Sequence, residues 1–398
     1  MRENRASMNP FQKPFLELGE TIGRNPGRCF GVYQPDRMFH MLLMGQTGTG
    51  KTTLLKNMIL QDIEVGRGFC LIDPHGDLSE DLKPVLPKDA IYWDVANPDC
   101  PYGYNPLKHV SERYQPLVAS GLIDALKKQW ADAWGARMEH LLRQAVLALI
   151  ARSGSSLADI VPMFTDRGFR SKVLQTVTDK EVLKFWREEY PKMNYKGSFD
   201  GVAPIANKLG AFLSQPVVRK SLCEPEEPLR FRKLMDEGTP IVISLSKGRL
   251  GTDVAEIMGG LILSVITQAA YSRVNIPEGE RRPFFVYVDE FPNFTTSTIA
   301  SMLSELRKFK TGLILAAQYC GQISTSILDS IFGNLGNLIF FRIGANDAPI
   351  IARQLGLADL SNLINQPNYR MHLRLMVDGK QTKTFTAQTV INESVQCL

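Results

Sequence analysis

Residues 40–60 read His40-Met-Leu-Leu-Met-Gly45-Gln-Thr-Gly-Thr-Gly50-Lys-Thr-Thr-Leu-Leu55-Lys-Asn-Met-Ile-Leu60. The run His40–Met44 has the length and apolarity of a buried strand. From Thr52 onward Leu54, Leu55, Met58 and Ile59 share one helical face, and Gly66 marks that helix's end. Between strand and helix, Gly45–Thr52 fits the spacing glycine, four residues, Gly50, Lys51, Thr52. Glycines in this order let backbone N–H groups curl around phosphates, while the following helix directs its positive N-terminal dipole at them. Lys51 is placed to reach the β- and γ-phosphates of a nucleotide, and the Thr52 hydroxyl to enter a Mg²⁺ shell. The expected nucleotide-binding residues are Gly45, Gln46, Thr47, Gly48, Thr49, Gly50, Lys51, Thr52 and Thr53. A second buried strand, Gly68-Phe-Cys-Leu-Ile-Asp73, follows the helix, and strand, helix, strand is the unit of a parallel sheet. The reading is an α/β protein built on a phosphate-binding loop.

Such a loop needs carboxylates at the tip of a neighbouring strand. Phe284-Phe-Val-Tyr-Val-Asp289-Glu290 supplies five apolar residues and then two acids. Asp289 is expected to hold Mg²⁺ through water, and Glu290 to orient or deprotonate the attacking water. A base there favours hydrolysis over transfer to a small acceptor. Gln318, closing the apolar run Leu313–Ala317, is placed like a sensor of the γ-phosphate or the water. Arg307, eleven residues earlier, and Arg342, after Ile339-Phe-Phe341, both suit neutralisation of transition-state charge from a neighbouring subunit. The residues alone leave that choice open.

The rest of the 398-residue chain sets the frame. Hydrophobic residues make up 44% and charged residues 22%, the balance of a globular protein, and 46 Lys and Arg against 41 Asp and Glu give only +5. That mild charge does not by itself define a nucleic-acid binder. The cysteines at 29, 70, 100, 223, 320 and 397 form no CxxC pair, which excludes a zinc site and a disulfide framework and implies reduced thiols. The opening MRENRASMNP lacks the apolar core of a signal peptide, and the run Ile257–Ser272, 16 residues with two glycines, falls short of a bilayer span. No integral membrane segment is expected. Residues 1–38 read as strands and loops packed on the core, 39–108 and 237–398 as the nucleotide-binding domain, and 109–236 as an all-α insertion with helical periods at Met138–Ile150 and Lys208–Leu222.

Taken together, Gly45–Thr52, Asp73-Pro-His-Gly-Asp77, Asp289-Glu290-Phe291, Arg307, Gln318 and the stretch Asn337 to Asp347-Ala348 resemble the HerA/FtsK superfamily of P-loop ATPases. The likeness is greatest to the conjugative coupling proteins of type IV secretion, the TraG/TraD-like group, in a form without transmembrane helices. The resemblance implies a RecA-like core with a mainly parallel sheet, ATP and Mg²⁺ as ligands, and a homohexameric ring with composite sites and a central channel for DNA. In that pattern Arg307 matches the trans-acting arginine. Segment 109–236 is similar to the helical domain of coupling proteins, where a DNA-processing or secretion-channel protein would dock. The implied location is cytoplasmic, reaching the inner membrane through a partner.

For the DNA grip, Lys247 and Arg249 in Ser246-Lys-Gly-Arg-Leu-Gly251 follow a strand and sit beside glycines, which suits phosphate contact without base reading. A solvated loop explains them equally well, and nothing distinguishes double- from single-stranded DNA. Asp77 reads as a cap for the helix beginning near Leu78, with a place beside the nucleotide as the other reading for His75 and Asp77. Two rivals to a DNA motor remain: an ATPase that powers protein secretion or assembly, and a nucleotide-switched regulatory partner of a nuclease or other effector.

Overall fold

A computed structural model describes residues 15–23, 26–108, 110–193, 201–295 and 298–390. The expectations for the first ten residues and for Cys397 lie outside these residues. The chain divides into two compact units, one of 1–92, 232–244 and 270–398, the other of 93–231 and 245–269.

The first unit is organised by one twisted sheet. Its strand order runs Cys29–Tyr33, Phe15–Thr21, Phe385–Gln388, Arg370–Arg374, Asn337–Phe340, Met41–Met44, Thr311–Ala317, Phe284–Val288, Gly68–Asp73 and Ile241–Ser244, with Ile91–Asp94 at the far edge. From Asn337–Phe340 to Ile241–Ser244 the neighbours are parallel, whereas the four strands at the other end pair antiparallel. The parallel strands are buried throughout, which is why their sequences read as continuous apolar runs without alternation. Strands Phe15–Thr21 and Cys29–Tyr33 are integral to this sheet through Phe385–Gln388. The Asp378-Gly379 turn joins Met376–Val377 to Lys380–Gln381.

Helix Lys51–Glu64 covers one face with Leu54, Leu55, Met58 and Ile59. Its polar Asp62 is fully buried and receives a bidentate pair from Arg37, both contacts at 2.8 Å. Tyr287 Oη donates to the same carboxylate at 2.5 Å and Arg67 Nη1 at 3.2 Å. The Arg37 guanidinium also lies 3.4 Å from the Phe285 ring centroid. One anion therefore serves two cations and a phenol, and this cluster pins the loop-binding helix to the strand that ends in Asp289.

The second unit is built of helices, among them Gln115–Gln129, Ala136–Ile150, Val202–Leu213 and Pro216–Cys223. Pro216 at the first turn splits the 208–222 pattern into two helices. A two-residue parallel ladder pairs Tyr102–Gly103 with Glu227–Pro228 inside this unit. Among the described residues Thr252–Asn275 is the helix long and apolar enough to cross a membrane, at mean hydropathy 1.5. Of its apolar window 83% is buried in the protein, as in a core helix.

Candidate active site

Parallel strands deliver their C-terminal ends to one edge of the sheet, and the glycine loop lies there. The Gly45 N–H donates to Ala317 O at 3.2 Å and the Gln46 N–H to Arg342 O at 2.8 Å, which anchors the loop to the two flanking strands. A Cβ at Gly45 would come within 2.6 Å of Phe341 Cβ, and Gly50 has φ +119°, so both positions require glycine. Lys51 is buried, and its Nζ donates to Gly45 O at 2.6 Å and Gln46 O at 3.2 Å. Burial lowers its pKa, against the pull of Glu290 and Asp289. Thr52 is exposed at the mouth of a cleft of about 340 Å³.

The opposite wall holds the acids. Asp289 and Glu290 are both buried. Burial, with Asp73 and Glu290 close by, pushes the Asp289 pKa up to about 7. Glu290 occupies the left-handed region, φ 47° and ψ 46°, a conformation that costs a glutamate about 1 kcal/mol or more. Gln318 Nε2 donates to Glu290 Oε1 at 2.8 Å, so the structure brings these two residues together across adjacent strands.

The turn after Asp73 is held by that residue. Its carboxylate accepts the His75 and Gly76 N–H groups at 3.0 Å and both the N–H and Oγ of Ser79 at 2.9 Å. Asp77 makes no side-chain cap on the helix Asp77–Leu82, and it lines the cleft with His75. The cap reading is thus corrected: Asp73 takes the donors, because it precedes the turn and faces inward. An acid before Pro-x-Gly was the available signal. Tyr369, which also lines the cleft, carried none.

Other expected residues lie elsewhere. Arg307 precedes strand Thr311–Ala317 and stacks 3.6 Å over the Phe39 ring, whereas Gln318 follows the same strand. Seven residues at about 3.3 Å each put the arginine roughly 20 Å from its own chain's cleft. Arg342 stands beside its own loop, donating to Gln46 Oε1 at 3.2 Å. Lys247 pairs with Glu256 at 3.8 Å, and Arg249 with Asp94 at 3.0 Å and with Ala96 O.

The residues fit a magnesium nucleotide. The glycine cradle leaves no room for a Cβ on the strand side, Lys51 donates to the loop carbonyls of Gly45 and Gln46, and Asp73, Asp289 and Glu290 crowd together with Lys51 as the cation acting on them. Among the described residues no cluster of three or more His, Cys, Asp or Glu forms a closed metal site, so Mg²⁺ would arrive with phosphate oxygens, held by Thr52 and Asp289.

No protein-family model matches the chain, and no curated protein matches it. Solved structures do. VirB4 of Thermoanaerobacter pseudethanolicus aligns with TM-score 0.67 at 14% identity, over 97% of this chain and 98% of that one. The bacterial conjugative coupling protein TrwBdeltaN70 aligns with TM-score 0.66 at 15% identity, over 94% and 89%. The plasmid coupling protein TrwB in complex with ADP and Mg²⁺ gives 0.64 at 16%, over 96% of both chains. The fold is therefore the RecA-like P-loop fold with a helical domain that these proteins share, as the sequence implied.

Proposed function

We propose that this chain is a Mg²⁺-dependent ATPase of the conjugative coupling kind, acting as a ring that moves DNA. The observation that carries the reading is the Gln318–Glu290 hydrogen bond, set across the cleft from Lys51. With a triphosphate in the loop, the Lys51 ammonium exchanges the carbonyls of Gly45 and Gln46 for phosphate oxygens. Gln318 occupies one Glu290 oxygen and leaves the other to accept a proton from water aimed at the γ-phosphorus. The bond to the β–γ bridging oxygen breaks, releasing ADP and phosphate. Mg²⁺ supplies charge neutralisation on the phosphates when bound. Arg307 acts on the next subunit's site, since it stands at the opposite end of its own strand.

The DNA half of the proposal is supported by the likeness to coupling proteins and by Lys247 and Arg249, each of which would exchange an acid for a phosphate. Their ion pairs with Glu256 and Asp94 favour a second reading, a secretion ATPase indifferent to DNA. In either case the chain would work at the cytoplasmic side of the inner membrane, docked on a partner. The test is steady-state ATP hydrolysis with double-stranded, single-stranded or no DNA across a salt series, on protein of known oligomeric state. Stimulation that fades with salt and weakens in the Lys247→Ala/Arg249→Ala variant supports the motor. Turnover unchanged by either DNA in intact rings supports the secretion ATPase, and no turnover refutes both.

A further inference from the structure

The cleft has two flanks, and only one of them is acidic. Strand Met41–Met44, which feeds the glycine loop, has Thr311–Ala317 and then Phe284–Val288 on one side. These end in Gln318, Asp289 and Glu290, so the γ end of a triphosphate faces that way. On the other side lie Asn337–Phe340 and the antiparallel strand Arg370–Arg374. Since Phe340 pairs with His372, the start of that last strand returns to the loop's edge of the sheet and places Tyr369 there.

Tyr369 is tied to the loop itself. Its N–H donates to Thr49 O at 2.8 Å, and its own carbonyl accepts the Thr389 N–H at 2.9 Å. Its backbone is held at φ 65°, an unfavourable conformation for an aromatic residue. The ring reaches within 3.1 Å of the place a Cβ on Gly50 would occupy, yet the residue stays 37% exposed into the cleft. Thr53, the residue after the magnesium threonine, lines the cleft beside it. A pinned aromatic ring at positive φ thus stands against Gly50 on the flank away from the acids, with part of its surface open to the cleft.

We propose that Tyr369 is the platform for the nucleoside end of the bound nucleotide, its ring stacking on the base as the chain leaves the α-phosphate. The inference rests on the phosphate-loop reading above. Stacking reads a π face and not a base edge, so the platform accepts either purine.

The experiment measures binding of ATP and of inorganic tripolyphosphate by calorimetry to the full chain, as wild type, Tyr369→Ala, Tyr369→Gly and Tyr369→Phe. Glycine suits the positive φ and guards against a folding defect in the alanine variant. Loss of the ring should weaken ATP about tenfold or more, the usual worth of a base–aromatic stack. Tripolyphosphate affinity should be unchanged, and phenylalanine should restore ATP binding. A fluorescent 2-aminopurine riboside triphosphate should be quenched by the wild type and Tyr369→Phe, and not by Tyr369→Gly. Equal losses for ATP and tripolyphosphate, or no loss for either, overturn the platform while leaving the phosphate loop intact. A wild type that binds neither probe overturns the phosphate-loop reading and the platform with it.

Discussion

Replacing Asp289 by asparagine should stabilise the nucleotide-free protein at alkaline pH while crippling its use of Mg²⁺. Folding raises the Asp289 pKa from 3.8 to about 7. The folded chain therefore keeps a proton that the unfolded chain has already released, and this contribution is full below pH 3.8 and lost as pH climbs through about 7. At about 1.4 kcal/mol per tenfold in proton affinity, holding the charged carboxylate at this buried position beside Asp73 and Glu290 costs on the order of 4 kcal/mol. Asparagine carries no such charge, and its side-chain oxygen can still accept the Glu290 N–H that Asp289 accepts at 3.0 Å. At about 2 °C per kcal/mol, the variant should melt roughly 8 °C above the wild type at pH 8. At pH 5, about one pH unit above the unfolded value of 3.8, the gap should shrink to roughly 3 °C, and it should close only below pH 3.8. Saturating Mg²⁺ and ATP should raise the wild-type melting temperature and move the variant far less. Thermal unfolding from pH 5 to 9, with and without Mg²⁺-ATP, checks this. An equal gap at pH 5 and pH 8, or a variant less stable at pH 8, would refute the account of a buried carboxyl crowded by Asp73 and Glu290.

Three further outcomes are expected. Glu290→Gln should retain ATP affinity within a few-fold and lose turnover by at least a hundredfold, which single-turnover hydrolysis measures; normal turnover would remove Glu290 as the base. Arg307→Ala should leave nucleotide affinity unchanged, abolish hydrolysis, and regain some activity when mixed with Lys51→Ala subunits; no recovery in well-mixed assemblies would count against action in trans. Asp62→Ala removes the carboxylate shared by the buried Arg37 and Arg67 guanidiniums and should cost about 3–5 kcal/mol, seen as a large fall in melting temperature. A shift of only a degree or two would show that the cluster contributes little.

The nucleotide site was legible because its chemistry is local in sequence. Gly45–Thr52 carries strand, loop and helix in one stretch, and the apolar run before Asp289-Glu290 announces a strand tip. Gln318 was legible for the same reason, as a polar residue closing a buried run. What depends on through-space pairing was hidden. Asp73 looked like one acid of a turn, and only the fold shows four donors converging on it. Tyr369 reaches the loop through an antiparallel strand more than 300 residues away in sequence, and no periodicity marks it. The ion pairs of Lys247 and Arg249 were equally invisible, since Glu256 lies on the next helix and Asp94 far upstream.

The pairing of Phe15–Thr21 with Phe385–Gln388 bears on how the molecule is made. The hairpin of Phe15–Thr21 and Cys29–Tyr33 is synthesised about 350 residues before Phe385–Gln388, the strand whose edge it must join. Until then one side of Phe15–Thr21 offers unpaired backbone groups, which is a template for association with another nascent copy. The strand Phe284–Val288, which carries the partner of Arg37 and Asp62, is likewise late. Assembly of this sheet is therefore dominated by contacts between residues distant in sequence, the topology of slow folders.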